Sequence, residues 1–154
     1  MNRELLLIDG DCTMCNKFVL FVIRNVKQNY ISFYPIQSVI SHDFLLENGI
    51  SVHEHYDSSY LITQHRILKK SRAFFALCKE MTYPLKMMYL FRFFPRPLTD
   101  LIYDFIAKNR FNFFGRQEKT CGLITINNPM AILSDEEAED FFLKFRCKNE
   151  SKKK

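Results

Sequence analysis

The residues of this chain best suited to chemistry are Cys12 and Cys15, in the run Asp9-Gly10-Asp11-Cys12-Thr13-Met14-Cys15. Two thiols spaced in this way can interconvert with a disulfide, so the chemistry they suggest is thiol-disulfide exchange. Their position sharpens the reading. Leu5 to Ile8 is a short apolar run that ends at Asp9-Gly10-Asp11, as expected of a buried strand stopped by a turn. From Asn16 to Lys27 the apolar residues Phe18, Val19, Leu20, Phe21, Val22, Ile23 and Val26 suit a helix packed on a sheet. The pair therefore falls where a strand turns into a helix, with the sulfurs one helical turn apart and able to bond. Unpaired N–H groups and the positive end of the helix dipole favour thiolate there, most of all at Cys12. Cys12 is thus the expected nucleophile, and Cys15 the more buried thiol that resolves the mixed disulfide. Asp9 and Asp11 act in the opposite sense, because nearby carboxylates raise a thiol pKa. Asp9, at the strand end, is also placed to take a proton from Cys15 during resolution; the alternative is that both Asp side chains only cap the turn.

Other chemistries can be written on the same residues. A structural disulfide closing so short a loop removes little unfolded-state entropy. A zinc site would draw on Cys121 or on His53-Glu54-His55, but no second CxxC exists and the histidines lack knuckle spacing. A magnesium-dependent phosphatase of the haloacid-dehalogenase type would use Asp9 and Asp11 with Thr63 as the phosphate-binding hydroxyl. That scheme needs an acidic pair after a later strand, whereas the acidic cluster Asp135 to Asp140 opens an amphipathic helix. No cofactor and no metal are expected.

The elements that must hold the pair follow from the pattern downstream. Ile31 to Ile36 reads as a second strand, Val39 to Glu47 as a helix ended by Asn48-Gly49, and Tyr60 to Thr63 as a third strand. His65-Arg66 reads as a hairpin turn into Ile67-Leu68. Ser71 is the expected N-cap of a helix with Phe74, Leu77, Cys78 and Met81 on one face. After Pro97, the residues Leu98, Leu101, Ile102, Phe105 and Ile106 mark an amphipathic helix to about Asn109. Met87, Met88, Phe91, Phe93 and Phe94 would suit a peptide or lipid surface, yet an aromatic stretch of this spacing is more often core. Ser134 and Glu137 form a capping box for a last helix with Ala138, Phe141, Phe142 and Phe145 as its stripe. Residues 1–147 are read as one domain and 148–154 as a disordered basic tail.

Composition bounds the function further. The 154 residues, 47% hydrophobic, suffice for one core. Five cysteines, an odd number, are unlike a secreted disulfide framework, and Met1 to Glu4 lack the basic start of an export signal; a cytoplasmic protein is expected. Tyr83 to Phe114 is interrupted by charges, so no stretch of about 20 apolar residues crosses a bilayer. The net charge is +5, and residues 66–119 hold 12 Lys/Arg against 4 Asp/Glu. Such a basic face could meet nucleic acid, an acidic protein or, by peripheral contact, a membrane surface; a solvated basic surface is preferred, and no nucleic-acid motif accompanies the charge. The expected partners are a disulfide-containing protein or small thiol substrate and a reductant. A binding module that docks through residues 83–116, with structural cysteines, is the alternative from another class.

The spaced series resembles the DCC family of predicted thiol-disulfide oxidoreductases, small bacterial proteins named for an Asp and two Cys. The likeness runs from Asp9, Cys12 and Cys15 through Gln37-Ser38, Asp57-Ser58, Ser71, Pro95, Tyr103, Ala107, Asn109-Arg110 and Phe114-Gly115 to Cys121. It implies an α/β, thioredoxin-like fold: a small mixed central sheet, flanking helices and a helical C-terminal extension. It also implies a redox role for Cys12 and Cys15 and makes Asp11, Ser58, Cys121, Tyr103 and Arg110 auxiliary candidates. Cys121 is either a third redox thiol or a small buried hydrophobe. Tyr103, Asn109 and Arg110 either line a groove or pack a helix end. Two features depart from thioredoxins: Tyr56-Asp57-Ser58-Ser59 has no proline where they carry a cis-proline, and Thr13-Met14 replaces their Gly-Pro.

Overall fold

The computed structural model describes residues 3–9, 13–26, 30–51, 59–114 and 132–150. Alternation along the first strand sets the layers. In β1 (Glu4–Ile8), Leu6 and Ile8 point to one side of the sheet and Leu5 and Leu7 to the other. β1 pairs in parallel with β2 (Ile31–Pro35), Glu4 opposite Ile31 and Ile8 opposite Pro35. A parallel pair needs a crossover, and α1 (Thr13–Asn25) supplies it. β3 (Tyr60–Ile62) runs antiparallel to β1, with Leu7 opposite Tyr60, and β4 (Ile67–Lys69) returns antiparallel to β3. The Thr63 N–H donates to the Arg66 carbonyl at 2.9 Å and closes the predicted hairpin.

The sheet order is β2-β1-β3-β4. α1 and α3 (Ser71–Glu80) cover the side of Leu6 and Ile8 with Val19, Val22, Leu77 and Cys78. The opposite side, that of Leu5 and Leu7, is covered by α2 (Val39–Glu47) and α5 (Asp135–Glu150) through Phe44, Leu45, Ala138 and Phe142. This is the expected thioredoxin-like arrangement, a four-stranded mixed sheet between helices. At the free edge of β2, Ile132 bridges Phe33 in parallel and Leu133 N–H donates to the Phe33 carbonyl, so the edge is partly paired.

Local chemistry accounts for the helix ends. α2 stops in a Schellman arrangement: Gly49 N–H donates to Leu46 and Ile50 N–H to Leu45, both at 2.9 Å, with Gly49 at φ +73°. No atom lies within 4 Å of an added Cβ there, so Gly49→Ala pays only for the left-handed backbone. A loss of about 1–2 kcal/mol is expected in urea unfolding. α5 opens with the predicted capping box, Ser134 N–H donating to Glu137 Oε2 at 2.9 Å and Glu137 N–H to Ser134 Oγ at 3.3 Å. The Tyr34 hydroxyl donates to Asp135 Oδ1 at 2.6 Å and tethers this end to β2. Burial, with Asp135 adding to it, pushes the Tyr34 phenol up to about 12. The helix continues through Lys148 to Glu150, past the expected start of the tail; cations in a last turn suit the helix dipole.

Two expectations change from the start of α3 onward. Ser71 does not cap the helix: it is the first helical residue, after Lys70 at φ 54°, and its hydroxyl donates to the Asp100 carboxylate. A bond to a charged acceptor outweighs a neutral cap. Asp100 belongs to α4 (Arg96–Phe114), whose polar side faces the protein. Lys70 Nζ pairs with Asp104 at 2.7 Å, Tyr103 reaches Ser59, and Ala107 is buried. The apolar stripe of Leu98, Leu101, Ile102, Phe105 and Ile106 therefore points outward. A 3-10 helix, Leu85–Phe93, precedes α4 and has no buried residue. Met87, Met88, Phe91, Phe93 and Phe94, expected in the core, are exposed.

Candidate functional site

The carboxyl ends of β1 and β2 and the amino end of β3 meet at one edge of the sheet, and the start of α1 follows from there. Parallel pairing brings the residues after Ile8 and Pro35 together, and Ile36 N–H donates to the Ile8 carbonyl at 2.9 Å. The two side chains that come next, Asp9 and Gln37, meet: Gln37 Nε2 donates to Asp9 Oδ1 at 2.6 Å. Asp9 is buried, and a buried carboxylate needs such donors. The first turn of α1 holds Cys15 and Asn16, both buried, and contains no acidic residue of its own. The positive end of the helix dipole is thus not offset from within the helix.

The third strand supplies the opposite wall. Because β3 is antiparallel, its amino end lies beside the carboxyl end of β1, and Ser59 directly precedes Tyr60, the partner of Leu7. The Ser59 N–H donates to the Tyr103 hydroxyl of α4 at 3.0 Å, so α4 reaches this edge with a polar side chain. Burial, and then the neighbouring Tyr103, raises the pKa of Tyr60. The Asp104 carboxylate, by its hydrogen bond, raises that of Lys70, whose N–H donates to the Ser59 carbonyl at 3.4 Å.

Asp9, Cys15 and Tyr103 are thus placed at or toward one edge of the sheet. Cys12, Asp11, Ser58 and Cys121 lie outside the described residues, as does the His53-Glu54-His55 segment of the zinc scheme. Arg110 lies in α4. Thr63 is not part of this edge: it follows β3 at the end where Ile62 pairs with Leu5, and its hydroxyl donates to the Arg66 carbonyl. Strand direction therefore separates Thr63 from Asp9 and removes the phosphatase arrangement. A recess of about 270 Å³ lined by Arg3, Ser32, Thr63, Glu137 and Lys144 also belongs to that far end. Cys78 is fully buried on the inner face of α3, and burial pushes its thiol up to about 11, which makes it a core residue and not a nucleophile. In the sequence Gln37 is one member of the spaced series and carries no signal of its partner; only the parallel pairing of β1 and β2 shows that it holds Asp9.

Among the described residues no helix is long and apolar enough to cross a membrane. Comparison with known proteins agrees with the geometry. The family model for the DCC1-like thiol-disulfide oxidoreductase matches residues 6–116. The chain is 33% identical over 117 residues to the uncharacterized protein YuxK of Bacillus subtilis, covering 76% of this chain and 85% of that one. It is 31% identical to a DCC family protein of Arabidopsis thaliana described as chloroplastic, over 75% of this chain and 67% of that one. No solved structure matches the chain. With Cys15 in the first turn of the helix that follows the first strand of a thioredoxin-like sheet, the chain belongs to the DCC1-like thiol-disulfide oxidoreductase family.

Proposed function

We propose that this protein is a thiol-disulfide oxidoreductase of the protein-disulfide reductase type, with Cys12 as nucleophile and Cys15 as resolving thiol. The observation that carries the reading is the start of α1 at Thr13, between the two cysteines in sequence, with Cys15 buried in its first turn and Asp9 buried at the end of the preceding strand. The Cys12 thiolate attacks one sulfur of a substrate disulfide, forms a mixed disulfide and releases the other sulfur as a thiolate. Cys15 then gives its proton to the Asp9 carboxylate and attacks the Cys12 sulfur. The second substrate thiolate leaves and takes the proton back from Asp9, so the substrate gains two electrons and a Cys12–Cys15 disulfide remains. An external dithiol reductant restores the pair. Gln37, hydrogen-bonded to Asp9, keeps the carboxylate at the strand end through both transfers.

Alkylation of the reduced protein with iodoacetamide as a function of pH, mapped by mass spectrometry, tests this. Cys12 is expected to label fastest, with a midpoint clearly below the roughly 8.5 of a free thiol. Cys78, with its thiol pushed up to about 11 inside the core, is expected to stay unlabelled until the protein is unfolded. Exposed Cys147 serves as the internal reference. Slow labelling of Cys12 with no preference over Cys147, or protection that a chelator removes, counts against the exchange mechanism and favours a structural or zinc-bound pair.

A further inference from the structure

We infer that the surface formed by the 3-10 helix Leu85–Phe93 and the outer stripe of α4 docks on an anionic phospholipid bilayer. The two elements adjoin in sequence, and the segment from Tyr83 to Ile106 that contains the first and most of the second exposes twelve large apolar side chains, from 37% at Met88 to 79% at Tyr83. Isolated exposed apolar residues are ordinary; so many along one segment mark an interaction surface.

The charges on the same surface identify what it meets. Lys86, Arg92, Arg96 and Lys108 are exposed. The acidic residues between Met81 and Asn109 are Asp100 and Asp104, and both turn inward, to Ser71 and Lys70. The outer side is therefore apolar and cationic, with its carboxylates withdrawn. The Arg92 guanidinium lies 4.8 Å from the Tyr89 ring centre and 5.9 Å from that of Phe93, which holds a phosphate-binding group among aromatic side chains. Aromatic and aliphatic residues interleaved with Lys and Arg are the composition that settles at a bilayer interface, where rings enter the acyl boundary and cations meet lipid phosphates.

A second copy of the chain is the poorer occupant. A two-fold interface would set the same four cations against themselves, with no exposed carboxylate among the described residues of this surface to pair them. Nucleic acid would meet the cations but leave the apolar stripe in water. Because Tyr103 on the inner side of α4 reaches Ser59, docking through the outer side holds the candidate site close to the lipid surface. The inference rests on exposure and charge, and does not depend on the cysteine chemistry.

Flotation of the full-length reduced protein with vesicles tests it. Phosphatidylcholine vesicles containing phosphatidylglycerol are compared with phosphatidylcholine alone, at low and raised salt. Binding is expected to the anionic vesicles, weakened by salt. Neutralising Arg92, Arg96 and Lys108 together with Gln is expected to lower the partition by about fivefold per cation. Replacing Phe91, Phe93 and Phe94 together with Ser should reduce it by about tenfold or more. All six residues are exposed, and an unchanged circular dichroism spectrum confirms that each variant folds. No binding to either vesicle, equal binding to both, or undiminished binding by both variants overturns the inference. So does a concentration-dependent dimer in sedimentation that the Phe variant disperses, which would assign the surface to a second copy.

Discussion

Cys12→Ser is expected to lower the rate of disulfide reduction by at least about a thousandfold, on the scale seen when a covalent nucleophile is removed. The measurement is the reduction of insulin disulfides with dithiothreitol as electron donor. A hydroxyl at this position is not ionised near neutral pH and cannot form the mixed disulfide, so no substitute remains for the first step. Cys15→Ser should behave differently. The first attack survives, and the protein accumulates as a mixed disulfide with its substrate, visible as an added mass that excess reductant removes. The pair of variants separates attack from resolution. If Cys12→Ser keeps its rate while Cys15→Ser traps no substrate, the roles assigned to these cysteines are wrong. Cys121→Ser completes the set: a relay thiol would slow regeneration of the reduced enzyme, whereas a buried hydrophobe would leave turnover intact.

The largest effect on stability is expected at Phe44→Ala, about 3–5 kcal/mol in urea unfolding with an unchanged slope. Phe44 is fully buried and belongs to α2, yet its ring contacts are with α5. Its ring stacks on Phe142 with centroids 4.2 Å apart and meets Phe145 edge-on at 5.4 Å. Truncation removes both contacts and leaves a cavity between two helices and the sheet. An ion pair between Arg146 and Glu47 joins the same helices at the surface and contributes little by comparison. A loss below about 1 kcal/mol would mean that the C-terminal helix is not an integral layer of the fold, and that one face of the sheet is covered in some other way.

Features governed by neighbours along the chain are legible in the amino-acid sequence. The strand β1 (Glu4–Ile8) ends where a buried apolar run gives way to turn formers in the sequence, and α2 ends at Asn48-Gly49 because Gly49 takes the left-handed backbone that closes a helix. The Ser134–Glu137 box is likewise a matter of four adjacent residues. The expectation of a helix start at the cysteine pair rests on the same kind of signal, and α1 begins at Thr13, between the two in sequence.

Tertiary structure decided what each face and each strand end meets. Hydrophobic periodicity defines a stripe on a helix but not its outlook, and α4 turns its polar side inward because Tyr103, Asp104 and Asp100 find Ser59, Lys70 and Ser71 there. The apolar stripe is left outside, and with it Met87, Phe91 and Phe93, which their spacing alone would place in the core. Strand direction is equally invisible to local patterns. Parallel pairing of β1 with β2 delivers Gln37 to Asp9, and antiparallel pairing with β3 brings Ser59 to the same edge while carrying Thr63 to the far one. A single strand segment reads the same in either direction; only the partner strand sets which of its ends borders Asp9.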